Sequence, residues 1–283
     1  MKIWKYIYLT LMLLLAMLII AISQLPDSNL HIIACDVGQG DAILITFGST
    51  QILTDGGPDK SVMTCLGKYM PFWDRTIDLV ISTHPDADHS TGLVTVLKDY
   101  KVGQILINPI DPGTQVYRAL ESEIATKGVH VVDPVEGMVL GVGLIHLDIE
   151  NPSHELVDQI PNFKSGETNL YSIVYLLTYG QFRGLFTGDM PPTVSDRLST
   201  LSAIEGLDYI KIPHHGSNNG LTENLLKAVM PKVAVISVGK NIWGFPRPEL
   251  LSLLAKYGVK TLRTDQMGDV EVVTNGESYW IRL

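Results

Sequence analysis

Apolar and polar positions alternate in short runs along most of the chain, with one exception near the start. Lys2 and Lys5 precede Tyr6–Pro26, 21 residues without a charge, whose heart is LTLMLLLAMLIIAI. At about 1.5 Å per residue a helix of this length reaches roughly 30 Å, the thickness of a bilayer core. Three readings fit it. It is a signal anchor, a cleaved signal peptide with Ala21-Ile22-Ser23 as a small-x-small site, or a core helix, which its missing polar face argues against. Either export reading keeps the two lysines cytoplasmic and places the bulk outside, anchored or secreted. Residues 1–27 are then the anchor or signal, and 28–283 the working domain.

Beyond it, β-rich runs interleave with helical periodicity. His31–Asp36, Asp41–Phe47 and Thr50–Thr54 predict three strands with Gly turns between them. Ile77–Ser82 is a largely apolar run, the pattern of a strand buried on both faces. Gly92–Tyr100 and Gln115–Lys127 predict helices around a strand at Gly103–Asn108. Tyr171–Tyr179 and Phe182–Thr187 predict a hairpin through Gly180. Strands follow at Asp208–Ile212 and Lys232–Val238, with a helix at Thr222–Met230 between them. A helix at Arg247–Tyr257 precedes strands at Thr261–Thr264, Val270–Thr274 and Tyr279–Arg282. With no linker or repeat, one α/β domain is expected.

Composition narrows the chemistry. At 46% hydrophobic and 18% charged, the bulk is not a disordered chain. Cys35 and Cys65 are too few for a disulfide scaffold or a Cys-rich zinc site, and a bond between them stays open. The net charge of −9 argues against nucleic-acid binding through overall charge, while leaving a local groove or a metal centre.

Polar residues gather where the apolar runs end, as ligand sites do in α/β sheets. Thr83-His84-Pro85-Asp86-Ala87-Asp88-His89 packs four potential ligands behind a buried strand. Imidazole and carboxylate together suit zinc, manganese or iron. A loop there can aim His84 and Asp86 at one ion, and Asp88 and His89 at a neighbour. Phe186-Thr187-Gly188-Asp189 ends a hairpin strand with a lone carboxylate able to bridge, although a GD pair is commonly a turn. Ile212-Pro213-His214-His215-Gly216-Ser217 adds paired histidines. His31, His130 and His146 read as ordinary half-buried residues.

The order DVGQGD (36–41), TDGG (54–57), THPDADHSTG (83–92), TGD (187–189) and HHGS (214–217) resembles the metallo-β-lactamase fold. It is similar, more narrowly, to the extracellular hydrolase domain of ComEC-type DNA uptake (competence) proteins; phosphorylcholine esterases look alike too. The resemblance covers roughly 31–283 and implies a four-layer αβ/βα sandwich with two divalent ions, zinc or manganese, in an edge cleft. By position, His84 and Asp86 serve the first ion, Asp88 and His89 the second, and Asp189 bridges. His214 and His215 complete the shell or act with Asp88 in catalysis. Asn169 reads as a weak ligand or a substrate contact, Ser217 as a substrate contact or a helix N-cap, and Lys211 as a contact for a substrate anion or a lysine snorkelling from its strand. Asp36, Asp41 and Asp55 become supporting or turn residues. Asp86 stands where the superfamily more often has His, and Phe245 where the ComEC type has a His.

Two ions about 4 Å apart activate a water and stabilise a transferring oxyanion. No GxSxG elbow supplies a side-chain nucleophile. The expectation is metal-bound hydroxide attacking a phosphodiester, with extracellular DNA as substrate. The alternatives are a small phosphorylcholine-type ester, or a weakly catalytic DNA-handling partner of a separate uptake channel protein.

Overall fold

The computed structural model describes residues 2–282. Six strands enter a first sheet: β1 (Leu30–Ala34), β2 (Ile43–Phe47), β3 (Thr50–Thr54), β4 (Thr76–Ser82), β5 (Lys101–Ile107) and β6 (His130–Val132). The next seven form a second: β7 (Val139–Val142), β8 (Ile145–Asn151), β9 (Val174–Tyr179), β10 (Phe182–Phe186), β11 (Tyr209–Lys211), β12 (Val233–Ile236) and β13 (Lys260–Arg263). Strands β14 (Val270–Thr274) and β15 (Tyr279–Arg282) return to the first sheet beside β1. The helices are α1 (Lys2–Ser23), α2 (Val62–Tyr69), α3 (Ala87–Asp99), α4 (Gln115–Lys127), α5 (His154–Gln159), α6 (Pro192–Leu198), α7 (Glu223–Val229), α8 (Pro248–Lys256) and α9 (Thr264–Met267).

Strand periodicity explains the four layers. Successive side chains point to opposite faces, so Ile32, Leu79 and Ile81 meet Leu147, Tyr175, Phe186 and Val235 between the sheets. Ile33, Leu44 and Val80 point outward onto Leu66, Leu93, Leu97 and Leu120 of α2–α4. Ile210 and Ala234 do the same on the far side, under Leu198, Leu225, Leu226 and Leu254. Strand β4 is covered on both faces, hence its run of apolar residues. The expected αβ/βα sandwich is the fold observed.

Strand direction sets what gathers where. β1 and β3 both oppose β2, while β3, β4 and β5 are parallel, so β1, β3, β4 and β5 run one way. Across the sandwich β10–β13 are parallel to one another. The ends of β1, β3, β4, β10 and β11 lead directly into the five motifs.

Several elements differ from the sequence reading. The sequence pattern does not predict α2, α5, α6, α9, β6, β7 or β8; β7 exposes Val139 and carries Gly141, which blurs its alternation. Ser165–Tyr171 forms 3₁₀ turns, and the hairpin begins only at Val174. Asp88 and His89 ride on the first turn of α3 rather than in a loop. His130, His146 and His154 are exposed. Cys35 and Cys65 form a disulfide that ties the end of β1 to α2. Closing a loop of this length stabilises by about 3–4 kcal/mol in the chain-entropy picture.

Helix α1 is long and apolar enough to cross a membrane: Ile3–Ile22 has a mean hydropathy of 2.3 and none of it is buried. The core-helix reading therefore falls. After the helix, His31 clamps the connecting segment to the sheet, with Nδ1 2.6 Å from Glu271 and Nε2 2.8 Å from Asp27. Burial alone would lower the His31 pKa, but its bonds to Glu271 and Asp27 outweigh that and raise it above 6.5. Asp27 moves the other way: burial would raise it, but its bonds to His31 and Asn29 bring it below 3.8. The sign follows. The His31 contribution is complete below pH 6.5 and fades as pH rises through the raised value. That of Asp27 is present above 3.8 and fades in acid. The clamp is expected to be tightest between about pH 4 and 6.5. Proteolysis of the 24–30 segment across pH should show this minimum, and His31→Gln should flatten the upper limb.

Candidate metal centre

The centre is assembled by loops pressed around the first turn of α3. The Gly40–Asp41 loop meets it through Asp41 N, 3.2 Å from Asp88 O. The TDGG loop meets it through Gly56 N, 2.7 Å from His89 O, and through Gly57 O, which accepts from Gly92 N at 3.0 Å. Side chains are excluded from this contact: a Cβ on Gly92 would lie 1.9 Å from Gly56 O. That requirement accounts for Gly40, Gly56 and Gly92, whereas Gly38 and Gly57 take positive φ.

Three histidines are then fixed in one orientation. His89 Nδ1 donates to Asp55 Oδ2 at 2.8 Å. His215 Nδ1 donates to the Ser237 carbonyl at 2.9 Å. The Thr83 hydroxyl donates to Asp55 at 2.7 Å and accepts from His84 Nδ1 at 3.0 Å. With Nδ1 committed in each ring, every Nε2 faces the cleft, the arrangement by which outer partners orient metal-ligating histidines. The Nε2 atoms of His84 and His89 are buried with no hydrogen-bond partner. Buried polar atoms are rarely left so.

Carboxylates converge on the same space. Asp189 Oδ2 is 3.4 Å from His89 Nε2 and 3.4 Å from His215 Nε2. Two ligands each about 2.0–2.1 Å from a shared tetrahedral ion lie roughly 3.3 Å apart, so this spacing fits a cation between them. Asp88 Oδ2 lies 3.2 Å from His215 Nε2, and Asp86 Oδ2 lies 3.7 Å from His84 Nε2 at the cleft mouth. Ligand atoms come together in overlapping sets: His84, His89 and Asp189; Asp88, His89 and His215; Asp41, Asp189 and His215; Asp41, Asp55 and His89. His89 belongs to three of these, which blurs the division into two separate pairs. The donor set fits divalent cations.

Electrostatics agree. Burial would push His215 down, but Asp189, Asp41 and Asp88 lift it to about 10. His89 is likewise carried well above its usual value, against burial, by Asp189 and Asp55. Asp189 is driven far below the carboxylate range: burial opposes this, and His215, His89 and Lys211 overcome it. The pocket holds protons where cations would sit, so metal binding would release them.

Other residues separate from the cluster. His214 donates its backbone N–H to Asp189 Oδ1 at 3.1 Å, while its ring stands 5.8 Å from that of Phe245. Asn169 Oδ1 is buried without a partner. Its segment borders the cleft, since Ser172 Oγ accepts from Asp189 N and Ile173 N donates to Thr83 O. Ser217 is buried and its Oγ accepts from Asn219 N, a turn contact. Lys211 neither snorkels nor reaches the cleft surface. It is buried, ion-paired with Asp41, and donates to Gly188 O at 3.0 Å. Asp36 is an exposed turn residue whose carboxylate accepts from Gly38 N. Thr83 and Ser237 were missed, because a hydroxyl and a carbonyl that orient a histidine carry no sequence signature.

A two-sheet sandwich with a His/Asp cluster where its strands end defines the class. Residues 35–240 match the metallo-β-lactamase superfamily, and the chain belongs to it. Among characterised proteins it is 26% identical over 261 residues to ComE operon protein 3 of Bacillus subtilis, covering 83% of this chain and 32% of that one. It is 28% identical over 264 residues to Recombination protein 2 of Haemophilus influenzae, covering 92% and 31%. The chain spans about a third of the length of these relatives. In structure it is similar to the metallo-β-lactamase fold protein YhfI of Bacillus subtilis, with a TM-score of 0.57 and 11% identity, covering 87% of this chain and 100% of that one. The superfamily is typically hydrolytic, and competence proteins are among the relatives of this chain.

Proposed function

We propose that residues 28–283 form a metal-dependent phosphodiesterase acting on single-stranded nucleic acid outside the cytoplasm, held to the membrane by α1. The observation that carries the substrate class is an aromatic platform beside the cluster. Trp243 is 53% exposed and lies nearly parallel to Phe245, with ring centroids 6.2 Å apart. Phe245 abuts His214, and the exposed Arg247 guanidinium lies 5.5 Å from the Phe245 centroid. Exposed aromatics that stack on bases, next to a cation for the phosphate, are the common device for binding single strands. They also supply local affinity that a net charge of −9 does not.

Divalent ions, when bound, lower the pKa of a water and stabilise charge on a phosphoryl oxygen. His84, His89, His215, Asp86, Asp88 and Asp189 would hold them, with Asp41 and Asp55 behind. His214, bonded through its backbone N–H to Asp189 and abutting Phe245 with its ring, would meet the substrate and give a proton to the leaving oxygen. Asn169 is offered as an amide contact to the same substrate. The disulfide suits an oxidising exterior. The competence-protein relatives favour DNA, with a separate uptake channel as partner.

The test is a hydrolysis panel with zinc and manganese on single-stranded DNA, RNA, phosphorylcholine esters and bis(p-nitrophenyl) phosphate. Chelator-sensitive cleavage of DNA is expected. Trp243→Ala should raise KM for an oligonucleotide by roughly 5- to 150-fold, the loss of about 1–3 kcal/mol of stacking, and affect the small diester far less. Equal loss on both substrates, or cleavage confined to phosphorylcholine esters, would overturn the nucleic-acid reading.

A further inference from the structure

The end of the sandwich opposite the metal cluster carries an exposed aromatic pair. Phe72 and Trp73 are 59% and 46% exposed, with ring centroids 4.8 Å apart in an edge-to-face contact. They sit in the turn between α2 and β4. Phe72 N donates to Gln24 Oε1 at 3.1 Å, and Gln24 directly follows the last residue of α1. Leu25, 62% exposed, Pro26, Met70 and Pro71 line one cavity of about 360 Å³ at the same junction.

Topology places this end. β1 starts at Leu30, just after the connecting segment, and runs the same way as β4. The beginnings of β1 and β4 therefore share one end of the sheet, where α1 arrives and Phe72–Trp73 project. The ends of β1, β3 and β4 lead to Asp41, Asp55 and His84 at the other. Seven residues of β4 at about 3.3 Å each separate the two by roughly 20 Å.

We infer that the Phe72–Trp73 turn is a second membrane contact, seated in the headgroup region of the bilayer that α1 crosses, and that it holds the metal cleft pointing away from that bilayer. The inference rests on the reading of α1 as a membrane span. Trp and its amphipathic ring favour the membrane–water interface. A turn bonded to the residue following the span lies at that depth, and two exposed large aromatics are costly to leave in water. With the cleft about 20 Å from the lipid, a substrate arriving from solution is served and a headgroup of the same membrane is not.

The test uses the full chain, reconstituted in vesicles of phosphatidylcholine and phosphatidylglycerol whose acyl chains carry bromine, a contact quencher of tryptophan. The four tryptophans are at 4, 73, 243 and 280. Trp4, Trp243 and Trp280 are partly exposed as well, so single-tryptophan variants made by replacement with Phe disturb no core. Trp73, at the boundary between headgroups and acyl chains, is expected to lose a clear part of its emission, and Trp4 within α1 as well, while Trp243 beside the cleft keeps its own. Quenching of Trp4 without Trp73 would overturn the inference and leave the span intact. Quenching of Trp243 as well would overturn the orientation. If Trp4 is not quenched the span falls, and the inference, which rests on it, falls with it, whether or not Trp73 is quenched.

Discussion

Asp189→Asn is expected to weaken the hold on both of the divalent ions proposed for the centre. Asp189 Oδ2 lies between His89 Nε2 and His215 Nε2, and Oδ1 accepts from His214 N and Lys211 Nζ. An asparagine keeps one good acceptor and turns an NH₂ toward groups that are donors or cations already. Neutralising it also leaves His89, His215 and Lys211 with less negative charge to balance them. Losing an outer partner of a metal ligand typically costs 10- to 100-fold in affinity or activity, and a carboxylate shared by two ions should cost more than about 100-fold in turnover. Metal content after graded chelator, read beside thermal unfolding, separates this from misfolding. Both ions should leave at lower chelator than in the parent. Loss of one ion alone would make Asp189 a terminal ligand, and full metal with near-normal turnover would remove it from the centre.

What could be read in the sequence depends on how local each contact is. The THPDADH segment is legible because a buried strand, a turn and the start of a helix place His84, Asp86, Asp88 and His89 within six positions, so one stretch of chain sets their geometry. The sandwich is legible for a similar reason, since alternation and doubly buried runs reflect the faces of one strand at a time. His214 and His215 are adjacent and look equivalent, yet both take positive φ in the 3₁₀ turn, and the backbone sends only His215 into the cluster. That division depends on tertiary constraint. The roles of Asp41 and Asp55 depend on loops meeting α3 from different parts of the chain, and the Cys35–Cys65 bond spans 30 positions. β7 escaped notice because it is an edge strand, partly exposed, whose pattern resembles a loop.

Lys211 is where local reading failed most, and it makes the largest stability prediction. A lysine ending a short strand beside a cleft looks like a contact for a substrate anion. In the fold its Nζ is sealed between Asp41 and Asp189, and only 1% of the side chain reaches solvent. Burial would lower its pKa, but the two carboxylates outweigh this and raise it, so the ammonium stays charged at any working pH. Lys211→Met keeps the stem, removes the charge, and leaves two buried carboxylates facing each other. Breaking such a pair by removing one partner costs about 3–5 kcal/mol. Urea unfolding of the chelated protein should show that loss. Added zinc should recover part of it, because an ion bound only by the folded state stabilises it by mass action and screens the same carboxylates. Lys211→Met combined with Asp41→Leu should destabilise less than the sum of the two changes, since the second removes the charge stranded by the first. The substrate-contact reading predicts the reverse: unchanged unfolding of the chelated protein and a raised KM for the diester. A loss below about 1 kcal/mol, the range of exposed pairs, would mean that water reaches the ammonium and that the cleft extends further under β11 than the packing allows.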